Sequence, residues 1–175
     1  ITRLQRDLAE SNRQLSASLA TIRGDLETLA DIQRSLLPDR LPTDILDCEL
    51  VYRPCAESGG DYYDFVPVED GSTALIVADV SGHGAPAMVA MAIIRSLVHT
   101  LVPDAKSPAD ALARINRALF HHLPTGQYAT MFLGFWDPTA RTLRFSTAGH
   151  PLPLWLRRGS DAATGLPQLL GYPIG

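Results

Sequence analysis

The chain has 175 residues, 46% of them hydrophobic, and a formal net charge of −4 at pH 7, enough for one domain with a real core and an extension before it. It has no basic block to support nucleic-acid binding, no signal peptide at its start, and no run near the ~18 uninterrupted apolar residues of a membrane span. Its two cysteines, Cys48 and Cys55, lack C-x-x-C spacing and nearby histidines, so a reducing cytosol is expected rather than a disulfide.

Residues 1–32 are polar, free of proline and patterned as a helix. With Ile1 as heptad position a, every a is apolar: Ile1, Leu8, Leu15, Ile22 and Leu29. The d positions are Leu4, Ser11, Ser18, Asp25 and Ile32, so only the two ends complete the seam, and Leu19 and Leu26 fall one residue late. Gly24 weakens the middle. The expectation is a dimerising, signalling coiled coil over 1–35 that links an upstream sensor to a domain over 36–175. The competing reading is a helix packed on its own domain. Because the sequence opens on Ile1 rather than Met, it is read as a piece of a longer protein, with room upstream for a membrane anchor.

Pro38 and Pro42 end the helix in a rigid elbow, since a residue before proline leaves the helical region. Residues 48–53 read as a first strand, stopped by Pro54. Arg53 at its end either holds substrate phosphate or is a surface strand residue. A hairpin follows, with Asp70-Gly71 as its turn. If it centres on Asp70, Asp61 on one strand faces Asp79 on the other. Opposed carboxylates destabilise a sheet, so this placement asks for a cation, and oxygen-only ligands suit Mg²⁺ or Mn²⁺. A one-residue slip would turn one carboxylate to the other face. Asp64 has the opposite parity to Asp61, which assigns it a supporting or structural role.

Residues 73–78 form a strand that ends at Asp79, where an uncompensated buried charge is costly. The turn Val80-Ser81-Gly82-His83-Gly84 is either a backbone nest for an anion or a plain turn. His83 is either an acid that orients water or a capping or surface histidine. Residues 85–102 then form a mostly buried helix. Ser107-Pro108-Ala109-Asp110 opens another, with Ser as cap and Asp three residues on. Residues 128–136 and 141–148 are strands joined by a Pro138 turn, and Gly149-His150-Pro151 bends into a third strand over 152–157. His150 reads as structural, near the rim of the site. Residues 158–164 read as loop, and the tail from Gly165 shows no periodicity. Helices between groups of antiparallel strands make this an α+β layered domain.

Four motifs in order, SGGDYYDF, ADVSGHG, YATMFLGFWD and STAGHPLPLWL, resemble the bacterial PPM-type serine/threonine phosphatases of the SpoIIE/RsbU branch. The resemblance implies an α-β-β-α sandwich, two antiparallel sheets face to face with helices outside. It implies two Mn²⁺ or Mg²⁺ ions held by Asp61 and Asp79, with the Val80 carbonyl helping one of them. Gly60, Asp64, Gly82, His83 and Arg53 are then candidates to support those ligands or touch substrate. The implied substrate is a phosphorylated partner protein, a STAS-type anti-sigma-factor antagonist in stress or developmental signalling, and the implied location is the cytoplasm. Further metal-binding aspartates, one in a Thr-Asp-Gly segment, are expected beyond Gly175. Two rivals remain: a switch module with an incomplete metal site, and a carboxylate-rich hydrolase or phosphate-binding module of another family.

Overall fold

The computed structural model describes residues 2–53, 59–124, 126–166 and 171–175. Helix α1 (Arg3–Leu36) leads into β1 (Asp61–Pro67) and β2 (Thr73–Val80). Helices α2 (Ala85–Leu101) and α3 (Pro108–Leu119) follow, and then β3 (Ala129–Asp137), β4 (Thr142–Ala148), β5 (Leu154–Leu156) and β6 (Ala163–Gly165).

Strands β1 to β4 form one antiparallel sheet in the order β1-β2-β3-β4, with α2 and α3 inserted between its two hairpins. Alternation along the strands sends Tyr62, Ile76, Leu133 and Phe135 to one face, where they pack with Met91 and Ile94 of α2 and Ile115 of α3. The helices bury their apolar stripes against that face and against each other. Ser107 caps α3 as its sequence indicates: Asp110 N–H donates to its Oγ at 3.1 Å.

The other face carries Asp61, Val77, Asp79, Phe132, Leu143 and Phe145, and β5 and β6 form a two-stranded sheet beside it. Leu154 and Trp155 of β5 and Leu143 and Phe145 of β4 line the same cavity of ≈ 480 Å³. The fold is therefore α+β, with helices, a four-stranded antiparallel sheet and a second small sheet in layers.

Three expectations change. Residues 48–53 are not a strand. Tyr52 meets β1 through its ring against Tyr63 and its hydroxyl on the Asp61 carbonyl (3.3 Å), so side-chain contacts replace a ladder there. Residues 163–165, expected as loop and tail, pair with β5, where Trp155 lies opposite Thr164. In the tail, Ile174 exchanges two backbone hydrogen bonds with Ala129, at 2.8 and 2.9 Å, which ties it to the start of β3. Cys48 is a free thiol; Cys55 and Pro54 lie outside the described residues.

Helix α1 ends where Pro38 requires: Leu37 is already extended at φ −85°, ψ 156°. Leu4, Leu8, Leu15, Leu19 and Ile22 stay exposed, whereas Ala30, Gln33 and Leu37 are buried against the domain. Arg95 of α2 donates from Nε to the Leu36 carbonyl, satisfying one of the orphan acceptors at the helix end. No helix among the described residues is long and apolar enough to cross a membrane.

Candidate metal centre

The β1–β2 register pairs Asp61 directly with Asp79, and the turn that sets it is centred on Asp70. Ser72 N–H donates to the Asp70 carboxylate at 3.0 Å, and Gly71 takes the positive φ of 84° that closes the turn. Val80 N–H donates to the Gly60 carbonyl at 3.3 Å, which makes Gly60 and Val80 a hydrogen-bonded pair. Asp61 and Asp79 then occupy the adjoining pair that lacks such bonds, where facing side chains come closest.

Gly60 matters because of what a side chain there would meet. A Cβ would stand 2.5 Å from the Val80 carbonyl oxygen and 2.8 Å from its Cβ. Glycine thus lets the two chains approach at a point where any side chain would strike the Val80 backbone. Thr130 of β3 continues the row, paired with Asp79, and its hydroxyl lies 2.8 Å from Nδ1 of His150.

The electrostatics follow from this crowding. Although Asp61 as a residue is exposed, the pocket wall partly desolvates its carboxyl; that desolvation and the Asp79 charge raise its pKa, against a smaller opposing pull from His150. Burial pushes His150 below the ordinary imidazole value, more than the two aspartates raise it, so the ring is neutral at pH 7. Burial first, then Asp61, pushes the Tyr52 phenol up to about 12. Asp61, Arg53, Tyr52, Val77 and His150 share the wall of a pocket of ≈ 370 Å³.

The remaining candidates separate. Asp64 sits on the helix-facing side, buried, where it accepts from the Tyr62 hydroxyl at 2.6 Å and contacts His99 Nε2 at 2.8 Å. It therefore lies on the face opposite Asp61, as its parity indicates. Gly82 and His83 stand exposed on the turn before α2, and Gly84, the α2 N-cap, adopts φ 70°, ψ −157°, a backbone region reserved for glycine. Ser81 anchors that turn: its N–H donates to the Tyr128 carbonyl at 2.8 Å, and its Oγ accepts from Tyr128 N–H at 3.0 Å. Thr130 and Tyr52 are drawn into the site without having been read as its components, and His150, expected near its rim, lines the same pocket as Asp61.

Do these residues fit a divalent metal? They offer two carboxylates and the neighbouring Val80 backbone carbonyl, all oxygen donors, which suits a hard ion such as Mg²⁺ or Mn²⁺. Among the described residues no group of three or more His, Cys, Asp or Glu side chains converges, so two carboxylates are the anionic part of this ligand set.

Residues 69–175 match the family profile of Stage II sporulation protein E, SpoIIE. The chain belongs to the SpoIIE family. Among relatives of this SpoIIE-family chain is the phosphoserine phosphatase RsbU of Bacillus subtilis, 28% identical over 130 residues, which are 74% of this chain and 38% of RsbU. The phosphoserine phosphatase RsbP of the same organism is 23% identical over 135 residues, 75% of this chain and 34% of RsbP. The chain thus spans little more than a third of the length of these curated relatives. Two solved structures share the fold. The SiaA-PP2C domain of Pseudomonas aeruginosa superposes with a TM-score of 0.64 at 27% identity, covering 76% of this chain and 55% of that one. The RsbU and RsbW domains of Rv1364c from Mycobacterium tuberculosis superpose at 0.60 and 28%, covering 70% of this chain and 34% of that one. The SpoIIE-family chain therefore has a PP2C-like fold, of the PPM type that its motifs resemble.

A test of the Asp61–Asp79 repulsion needs no metal. Asp61 holds its proton more tightly folded than unfolded, so its ionisation subtracts stability as the pH rises from the ordinary value of 3.8 through the raised folded value. The full penalty persists at pH 7, reduced by solvent screening. Asp61→Asn is expected to raise the metal-free Tm at pH 7 by about 1–2 °C, with the gain shrinking as the pH is lowered toward 4. Thermal unfolding in EDTA that shows no gain at pH 7 would mean that neither desolvation nor the Asp79 charge penalises the ionised Asp61 carboxyl.

Proposed function

We propose that this chain carries the metal-binding half of a protein phosphatase site that hydrolyses phosphoserine or phosphothreonine on a partner protein. The observation that carries the reading is the direct opposition of Asp61 and Asp79 across the β1–β2 ladder. Two carboxylates held face to face by a sheet are destabilising in themselves, and a divalent cation relieves them. The phosphoserine phosphatases among the relatives support the reaction class.

Asp61 and Asp79 would hold Mn²⁺ or Mg²⁺, two ions as the family resemblance implies, with the Val80 carbonyl as a further ligand. Ions bound there acidify water for attack and neutralise charge on the phosphoryl oxygens. The chain's own residues supply position. Gly60 lets the strands close without a side chain striking the Val80 carbonyl, and His150, set against Thr130, shares the pocket wall with Asp61. Arg53, exposed on the same pocket wall, offers a guanidinium to a substrate phosphate. The natural substrate in this proposal is a phosphorylated anti-sigma-factor antagonist of STAS type, in stress or developmental signalling in the cytoplasm.

Helix α1 adds a second proposal. Its exposed Leu4, Leu8, Leu15, Leu19 and Ile22 form an apolar stripe on an otherwise polar helix of 34 residues, of which only the last turns touch the domain. A second copy of the same helix would cover it, making the protein a homodimer, with a sensor domain as the natural upstream neighbour.

The test is phosphate release from a phosphoserine protein as Mn²⁺ is titrated, with this chain and with a longer form that continues past Gly175. Turnover that needs Mn²⁺ and falls at least about 100-fold in Asp79→Ala is the expected result. A longer form that neither binds Mn²⁺ nor releases phosphate would favour the metal-free switch module. Sedimentation equilibrium of the same preparation is expected to show a dimer; a monomer would remove the coiled-coil part.

A further inference from the structure

A glutamine side chain grips the chain two residues before Asp61. Gln33, in the last turn of α1, is one of few buried polar residues, at 2% exposure, and its amide is fully engaged. Its Nε2 donates to the Gly59 carbonyl at 3.0 Å, and its Oε1 accepts from the Gly59 N–H at 2.9 Å. The same Nε2 donates to the Tyr52 hydroxyl at 3.0 Å, and that hydroxyl donates to the Asp61 carbonyl at 3.3 Å. One side chain therefore reaches Asp61 by two routes, through the backbone at Gly59 and through Tyr52.

The grip has the form of one rung of a sheet ladder. Both backbone groups of Gly59 are satisfied by a planar amide, just where β1 begins and where Gly60 must lie against Val80. The other end is equally fixed: Arg95 of α2 holds the Leu36 carbonyl, and Ala30 and Leu37 are buried beside Gln33. The end of α1 is thus bonded to the lead-in of β1 on one side and to α2, which follows the Asp79–Gly84 turn, on the other. A buried amide stripped of partners is strongly disfavoured, so Gln33 is either seated on Gly59 or α1 is undocked.

We propose that Gln33 is a positioning residue for the metal centre: its hold on Gly59 and, through Tyr52, on the Asp61 carbonyl places the Asp61 carboxylate for the ion it shares with Asp79. This rests on the metal reading above and deepens it, because docking of the α1 end and readiness of the site become one equilibrium. Groups that orient metal ligands typically matter by about 10- to 100-fold in affinity.

The experiment measures Mn²⁺ binding by calorimetry, with hydrogen exchange at the Gly59 and Asp61 amides as a second readout. The proteins compared are the wild type, Gln33→Met, Tyr52→Phe, Asp79→Ala and Ile115→Val. Ile115→Val controls for lost stability alone and is expected to bind Mn²⁺ as the wild type does. Gln33→Met is expected to bind about 10-fold or more weakly and to exchange faster at Gly59, with Tyr52→Phe in between. Wild-type affinity in Gln33→Met, or a matching loss in Ile115→Val, overturns the proposal. If Gln33→Met does not fold, Tyr52→Phe decides, and unchanged affinity and exchange there overturn it. A wild type that takes no Mn²⁺, or an Asp79→Ala variant that binds it unchanged, overturns the metal reading and the positioning role with it.

Discussion

The repulsion between the Asp61 and Asp79 carboxylates is the constraint around which the rest of the site is arranged. The β1–β2 register holds them opposite each other, at a pair where side chains approach most closely. Nothing in the sheet itself gains from this, since like charges facing across a ladder cost stability. The neighbouring choices make sense as ways to keep the pair in place and open. Gly60 lets the chains come together without a side chain striking the Val80 backbone, and Ser81 pins the following turn to Tyr128. Burial keeps His150 from becoming a competing cation.

The opposite face of the sheet carries the stability that this arrangement spends. Tyr62, Ile76, Leu133 and Phe135 are buried against α2 and α3, and the same alternation that buries them turns Asp61 and Asp79 outward. Asp64 shows the rule from the other side. One step out of phase with Asp61, it enters the core, where Tyr62 and His99 satisfy it. Two aspartates three residues apart thus have unrelated surroundings, separated by strand parity alone.

Much of this was legible in the residues. The Asp70-Gly71 turn sets where the hairpin centres, and with it which residue faces Asp79; parity separated Asp64 from Asp61. The cap of α3 and the stop of α1 before Pro38 follow from local chemistry. What could not be read depends on contacts distant in sequence. Residues 48–53 have strand formers, yet Tyr52 is held by its side chain, so propensity misled. Gln33 stands where the polar helix meets the proline elbow, and its partners Tyr52 and Gly59 lie 19 and 26 residues further on. Seven-residue spacing carries the row of Leu19 and Leu26 on to Gln33, so a row that is exposed at Leu19 becomes docked at the helix end. A lone polar residue among Leu29, Ala30, Leu36 and Leu37 was the available signal. His150 and Thr130 meet only because β3 and β4 are neighbours.

The account stands most directly on whether the two facing carboxylates hold a cation. Anomalous diffraction at the manganese edge from crystals soaked in Mn²⁺ would answer this. The account predicts a peak within coordination distance of both Asp61 and Asp79, on the side of the Val80 carbonyl. Saturating Mn²⁺ that leaves no peak between the two carboxylates, or a peak only elsewhere on the chain, would contradict it.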